Sequence, residues 1–268
     1  MKAEKDNIIL FLSLPLAVLT AIVSYVGLFI ESTYSRETAS YAAQGIGQDI
    51  ANLFVVVPIL VISAFYACRK NKLALLLWGG TLFYLAYSYT IYCFGLHFTN
   101  LFLIYCLVLG LSFYGFVYFI LNTFKENISE WFIKTSSNKP LALFLMTIAF
   151  LFYFIWLKEI IPAIIKNITP KSIIESGLLI NPVHVLDIAL CLPALILTGI
   201  FLLKRKNLGL LLAPAMMMFC ILMSIAIIAM VFTMKHQGLE TNTFLSIVFI
   251  IIALISTGFL VQYLRRLK

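Results

Sequence analysis

The chain has 268 residues, of which 63% are hydrophobic, 15% aromatic and only 11% charged, with a formal net charge of +8. A soluble domain carries roughly 25% charged residues, so this composition excludes an ordinary water-soluble globule and points to a bilayer. A basic balance in a soluble chain would suggest nucleic acid, but here Lys and Arg sit in short turns between apolar runs, where anionic lipid head groups are the expected neighbours and nucleic acid is not.

Crossing about 30 Å of hydrocarbon takes roughly 20 apolar residues in a helix. Eight stretches reach that length, near 8–30, 50–68, 73–95, 100–122, 140–162, 184–203, 208–233 and 243–264. None alternates apolar and polar residues at every second position, so a membrane barrel is excluded and the expected fold class is an all-α, eight-helix membrane protein. Lys2 and Lys5 precede the first span as they would in a secretory signal, but its apolar run of about 23 residues exceeds the roughly 7–15 of a signal core, and it is expected to stay as an anchored helix. Gly45 and Gly47 are expected to form a flexible turn into the second span. Pro58 in the second and Pro193 in the sixth are expected to kink their helices. The third span concentrates Tyr84, Tyr87, Ser88, Tyr89 and Tyr92 in its outer half. The seventh is almost wholly apolar, with Met216, Met217 and Met218 together. The five cysteines form no CxxC pair and are expected to serve packing.

One pattern recurs without a gap about 135 positions on. Asp49, Asn52, Pro58, Arg69 and Leu75-Leu76-Leu77 align with His184, Asp187, Pro193, Lys204 and Leu210-Leu211-Leu212. With four spans between the copies, both enter the membrane in the same direction, so the expected arrangement is two parallel four-helix repeats, 1–124 and 140–268, joined by a polar linker at 125–139 that contains Ser129, Ser136, Ser137 and Asn138. Placing both termini in the cytoplasm assigns fourteen Lys and Arg to the inside and five (Arg36, Lys158, Lys166, Lys171, Lys235) to the outside, as the positive-inside bias requires.

Counting back from Arg69 and Lys204 at about 1.5 Å per residue puts Asn52 and Asp187 roughly 25 Å up, just inside the outer edge of the hydrocarbon. Residues three apart share a helix face, so Asp49 pairs with Asn52 and His184 with Asp187. An ionised Asp is costly in the membrane, and Asp187 is therefore expected to face the bundle interior and to find His184 or a hydroxyl of the third span. The expected ligand-binding site is a polar cavity near the outer face formed by Asp49, Asn52, His184 and Asp187 and lined by Tyr84, Tyr87 and Ser88.

These residues allow three classes of function. Two matched halves, prolines and off-centre acidic groups suit a small permease, or an ion- or proton-linked transporter, with a small solute or cation as partner. The same features suit a non-catalytic membrane partner or sensor. A membrane-embedded metal-dependent hydrolase would need His97, His184 and His236 to converge as zinc ligands. Their spacing is neither HExxH nor HxxxH, and the chain has no GxSxG elbow, no phosphate loop, no lysine inside the last span and no facing His pairs for haem, so no catalytic residue and no cofactor are assigned. The runs Asn181-Pro182-Val183-His184-Val185-Leu186-Asp187, Leu192-Pro193-Ala194-Leu195, Gly47-Gln48-Asp49 and Leu75-Leu76-Leu77-Trp78-Gly79-Gly80 resemble a family of uncharacterised bacterial integral membrane proteins. The resemblance covers nearly the whole chain and implies a multi-pass protein of the bacterial cytoplasmic membrane. It implies no activity and gives no residue a role.

Overall fold

Where apolar runs carry almost no charge, a helix satisfies every backbone N–H and C=O within the segment, and the long runs of this sequence fold accordingly. The computed structural model describes residues 2–133, 138–241 and 243–268. It contains eight helices long and apolar enough to cross a membrane, the architecture of a multi-pass membrane protein. They are α1 (Lys2–Phe29), α2 (Ala39–Cys68), α3 (Lys72–Gly95), α4 (Phe102–Thr123), α5 (Lys139–Lys166), α6 (Pro182–Leu203), α7 (Asn207–His236) and α8 (Thr243–Leu264). A short helix, Lys171–Ser176, lies between α5 and α6. Among the described residues the sole extended pairing is one antiparallel bridge between Phe132 and Leu267.

Two helices start earlier than hydropathy alone suggests. Thr38 caps α2 by accepting from the Tyr41 N–H, and Asn181 caps α6 by accepting from the Val183 N–H at 2.9 Å. As a result Gly45 and Gly47 do not form the expected flexible turn. Both lie inside α2, where the lack of a side chain permits close approach: a Cβ on Gly47 would collide with the backbone of Ala229 and Met230 on α7. The connection between α1 and α2 is correspondingly short, 30–38.

The two prolines are accommodated differently from a simple kink. Immediately before each lies a π-helical turn, Asn52–Val56 and Asp187–Cys191, in which the Val57 N–H bonds Asn52 O and the Leu192 N–H bonds Asp187 O. A proline has no N–H and crowds the carbonyl four residues back, and the wider turn relieves both problems. The geometry repeats with the sequence spacing in other ways too. Lys70 and Arg205, in the turns after α2 and α6, both adopt positive φ, 63° and 52°.

α3 and α7 are the most enclosed helices. α3 packs on α2, α4 and α7, and α7 packs on α2, α3, α6 and α8. They cross where Gly80 meets Ala215 and Met218, and a side chain on Gly80 would meet the Ala215 backbone. Gly80 and Ala215 are themselves one repeat spacing apart. α1 leans on α2 and α4, and α5 on α6. The side chains left outside are large and apolar: on α1, Phe11, Leu14, Val18, Ile22, Tyr25 and Phe29 form one exposed face while Leu16, Thr20, Val23 and Ser24 are buried. This is the reverse of a soluble bundle.

At the basic end of the bundle, the linker between α4 and α5 is docked onto it. Ile128 and Trp131 are buried, Lys72 lies over the Trp131 ring at 5.3 Å, and the chain's last residue donates its N–H to Trp131 O at 2.8 Å. Lys134, Ser136 and Ser137 of this linker lie outside the described residues.

Candidate functional site

Two buried carboxylates sit toward the opposite end, each beside a π-turn, and each is held by neutral donors. The first is Asp49 on α2, fully buried. Tyr34, in the turn after α1, donates its hydroxyl to Oδ2 at 2.5 Å, and Tyr92 of α3 donates to Oδ1 at 2.9 Å. Gly27 of α1 lets the carboxylate lie against the helix, since a Cβ there would overlap Oδ2. Burial, and then the Asp49 charge, push the Tyr34 phenol well above its ordinary pKa, so it stays a donor. One turn further along α2, the Asn52 Oδ1 accepts from Gln48 Nε2 and from Tyr84 OH, both at 3.1 Å, and Gln48 also bonds Tyr84.

The second carboxylate, Asp187 on α6, faces inward as expected and is 9% exposed. Tyr87 of α3 donates to Oδ1 at 2.9 Å and Trp156 of α5 donates its indole N–H to Oδ2 at 2.8 Å. The neighbouring carbonyl of Ile188, inside the π-turn, accepts from Tyr153 OH at 2.9 Å. His184 does not bond Asp187. Its ring lies against Trp156 at 4.7 Å, and its buried Nε2 has no hydrogen-bond partner among the described residues.

The single shared cavity expected from Asp49, Asn52, His184 and Asp187 is therefore corrected to two separate corners. They have no hydrogen-bond partner in common, and no extended contact joins α2 to α6. α3 serves both, sending Tyr84 and Tyr92 to one corner and Tyr87 to the other. Ser88 is buried but its hydroxyl bonds neither carboxylate. Nor do the three histidines gather. His97 is held by Glu37, His184 by Trp156, and His236 stacks near Phe232 at 6.4 Å. Among the described residues no group of three His, Cys, Asp or Glu is placed to share a metal ion, so the zinc arrangement is not formed by this geometry.

Two grooves open at this end of the bundle. One, of about 540 Å³, runs between the last turn of α3 and the first of α6 and is lined by Thr90, Phe94, His97, Leu179, Val185 and Leu186 among others. The other, of about 370 Å³, follows Ile160 to Pro170. Neither is lined by Asp49, Asn52 or Asp187.

Several residues of the two corners lie outside the set expected from the sequence. Tyr34, Gln48 and Trp156 carry no local signal, since their value comes from helices brought together by the fold. Gly27 is the exception, a lone glycine in an otherwise bulky outer turn of α1. Among the described residues neither Asp49 nor Asp187 is paired with Lys, Arg or His. Each carboxylate thus sits in low-dielectric surroundings without a countercharge among the described residues. Comparison with protein-family models, with curated proteins and with solved structures gave no match to this chain.

Proposed function

We propose that the protein is a small proton-linked permease of the cytoplasmic membrane, with Asp49 as its ion-exchanging group. The observation that carries this reading is a fully buried carboxylate in a membrane helix whose partners are all neutral donors. An ionised carboxylate is expensive there, and a proton or small cation is the cheapest neutraliser. The π-turns support the same reading, because such turns are common at functional sites and soften the helix where it must move.

The chain is read as two parallel four-helix repeats, 1–124 and 140–268. Matched π-turns, matched positive-φ residues and the crossing of Gly80 on Ala215 support a duplication about an axis between α3 and α7. The basic end, with Arg69, Lys204 and the linker, is placed in the cytoplasm by the positive-inside bias. Asp49 and Asp187 then lie toward the exterior, and the exposed apolar flank faces lipid. Bacterial origin follows only from the family resemblance.

Reconstituted vesicles loaded with a pH-sensitive dye test the reading. The wild-type protein is expected to admit protons after an external acid pulse, and Asp49→Asn to fall to the rate of empty vesicles. Equal rates for both would overturn it. A second reading, as a non-catalytic partner or sensor, is favoured by the apolar groove between α3 and α6, whose Leu179 is 98% exposed. It would be supported by the absence of any flux.

A further inference from the structure

Among the described residues, four buried hydroxyls around Asp49 make no hydrogen bond of ordinary geometry. They are Thr20 Oγ1 and Ser24 Oγ on α1, Tyr89 OH on α3 and Tyr105 OH on α4. Of the hydroxyls elsewhere in the helices, those of Thr81, Thr90, Ser112, Ser224 and Thr233 donate to the carbonyl four residues back, whereas those of Ser88, Thr198 and Ser256 also make no bond. Thr20 and Ser24 make no such bond and lie instead beside Tyr89 of α3, where the two helices meet.

That space is shared with the carboxylate. Ser24 lies beside both Asp49 and Tyr89, and Thr20 lies beside Tyr89. The Tyr89 and Tyr92 rings stack at 5.1 Å, and Tyr105 meets Tyr92 edge-on at 5.3 Å and Tyr89 at 6.3 Å. Each buried polar atom without a partner costs about 1–3 kcal/mol. Four such costs around one carboxylate call for a partner from outside the chain, and buried hydroxyls of this kind take water.

The cluster also approaches the surface. Tyr105 lies near Thr99 and Glu37. The Glu37 side chain is only 2% exposed and is held by the His97 N–H at 2.8 Å and by His97 Nδ1 at 3.0 Å, while the His97 side chain is 51% exposed.

We propose that the Thr20, Ser24, Tyr89 and Tyr105 hydroxyls hold a short file of water that carries protons between the His97–Glu37 pair and Asp49. This rests on the proton-linked reading and names its route. A proton taken up on the imidazole passes to Glu37. From there each oxygen along the file accepts one proton and releases another, so none retains a charge. At Asp49 the acceptor-only carboxylate becomes an acid whose new O–H needs an acceptor, and Ser24 Oγ beside it supplies one. The titratable groups facing Asp49 are Tyr34, Tyr84, Tyr89, Tyr92 and Tyr105, with Glu37 and His97 beyond; α7 meets the same stretch of α2 through Ala229 and Met230.

Two measurements on the purified full chain test this without any transport assay. In X-ray footprinting, radicals form from water in place, so a wholly buried ring is labelled only next to bound water. Tyr89 and Tyr105 are expected to be labelled, while Tyr263, whose hydroxyl bonds Leu210 O, and Trp78, bonded to Ser13, are spared. Tyr89 and Tyr105 as silent as Tyr263 would mean a dry site and end the proposal. Time-resolved infrared spectroscopy after a pH jump then follows the Asp49 carboxyl: Glu37→Gln is expected to slow its protonation, and an unchanged rate overturns the route. A permease failure would show separately, as vesicles without flux around a labelled Tyr89.

Discussion

Asp49 and Asp187 occupy related places in the chain, each buried at a π-turn before a proline, yet their surroundings differ in kind. Asp49 is enclosed on all sides, tied to Tyr34 and Tyr92 and flanked by the Tyr89–Tyr105 cluster and the Gln48–Asn52–Tyr84 network. Asp187 is clamped by two donors, Tyr87 and Trp156, that reach it from α3 and α5. The repeat alignment explains part of this. Asp187 stands where the first half has Asn52, and the positions matching Tyr84, Tyr87 and Ser88 are Phe219, Leu222 and Met223. Under the proposed duplication the first half keeps a polar interior, while in the second the carboxylate of α6 fastens α3 and α5 through Tyr87 and Trp156. The proposed frame thus sets an exchange site in one half against a structural clasp in the other.

Substitutions can break that contrast. Asp49→Ala strands two buried hydroxyls, at about 2 kcal/mol each, so a stability loss of about 4 kcal/mol is expected in thermal unfolding in detergent, against about 3 kcal/mol for Asp187→Ala, where Tyr87 is buried but Trp156 is only half-buried. Equal losses would erase the distinction. Gly27→Ala puts a Cβ into Asp49 Oδ2 and Tyr34, and a cost of about 3 kcal/mol is expected from this overpacking, measurable in the same melts. Trp156→Phe removes one charge-assisted bond from the second corner and is expected to cost about 2 kcal/mol while leaving proton uptake by vesicles unchanged. The smallest effect is expected from Tyr153→Phe, which frees only the Ile188 carbonyl of the π-turn, at about 1 kcal/mol.

Much of the fold is legible in the sequence because hydropathy and length act locally. The eight helices follow from runs of apolar residues, and their order leaves little choice of architecture. The starts of α2 and α6 are not legible from hydropathy because the signal there is a cap, Thr38 or Asn181, a single side chain that an average over many residues hides. The π-turns were foreshadowed by Pro58 and Pro193, although a proline alone does not distinguish a kink from a wider turn. The acidic groups were visible as charges in apolar segments. Their partners were not, because Tyr34, Tyr92 and Trp156 reach them across helices and only packing decides which ring meets which carboxylate. The expectation of one cavity failed for the same reason: sequence alignment relates α2 to α6 without saying that they touch.

The account stands on Asp49 changing its protonation state while Asp187 does not serve that role. Steady-state infrared difference spectra between acid and alkaline samples of the purified protein measure this directly through the carboxylic C=O stretch. A band that titrates in the wild type and in Asp187→Asn but vanishes in Asp49→Asn is the expected result. A spectrum that Asp49→Asn leaves unaltered would contradict it.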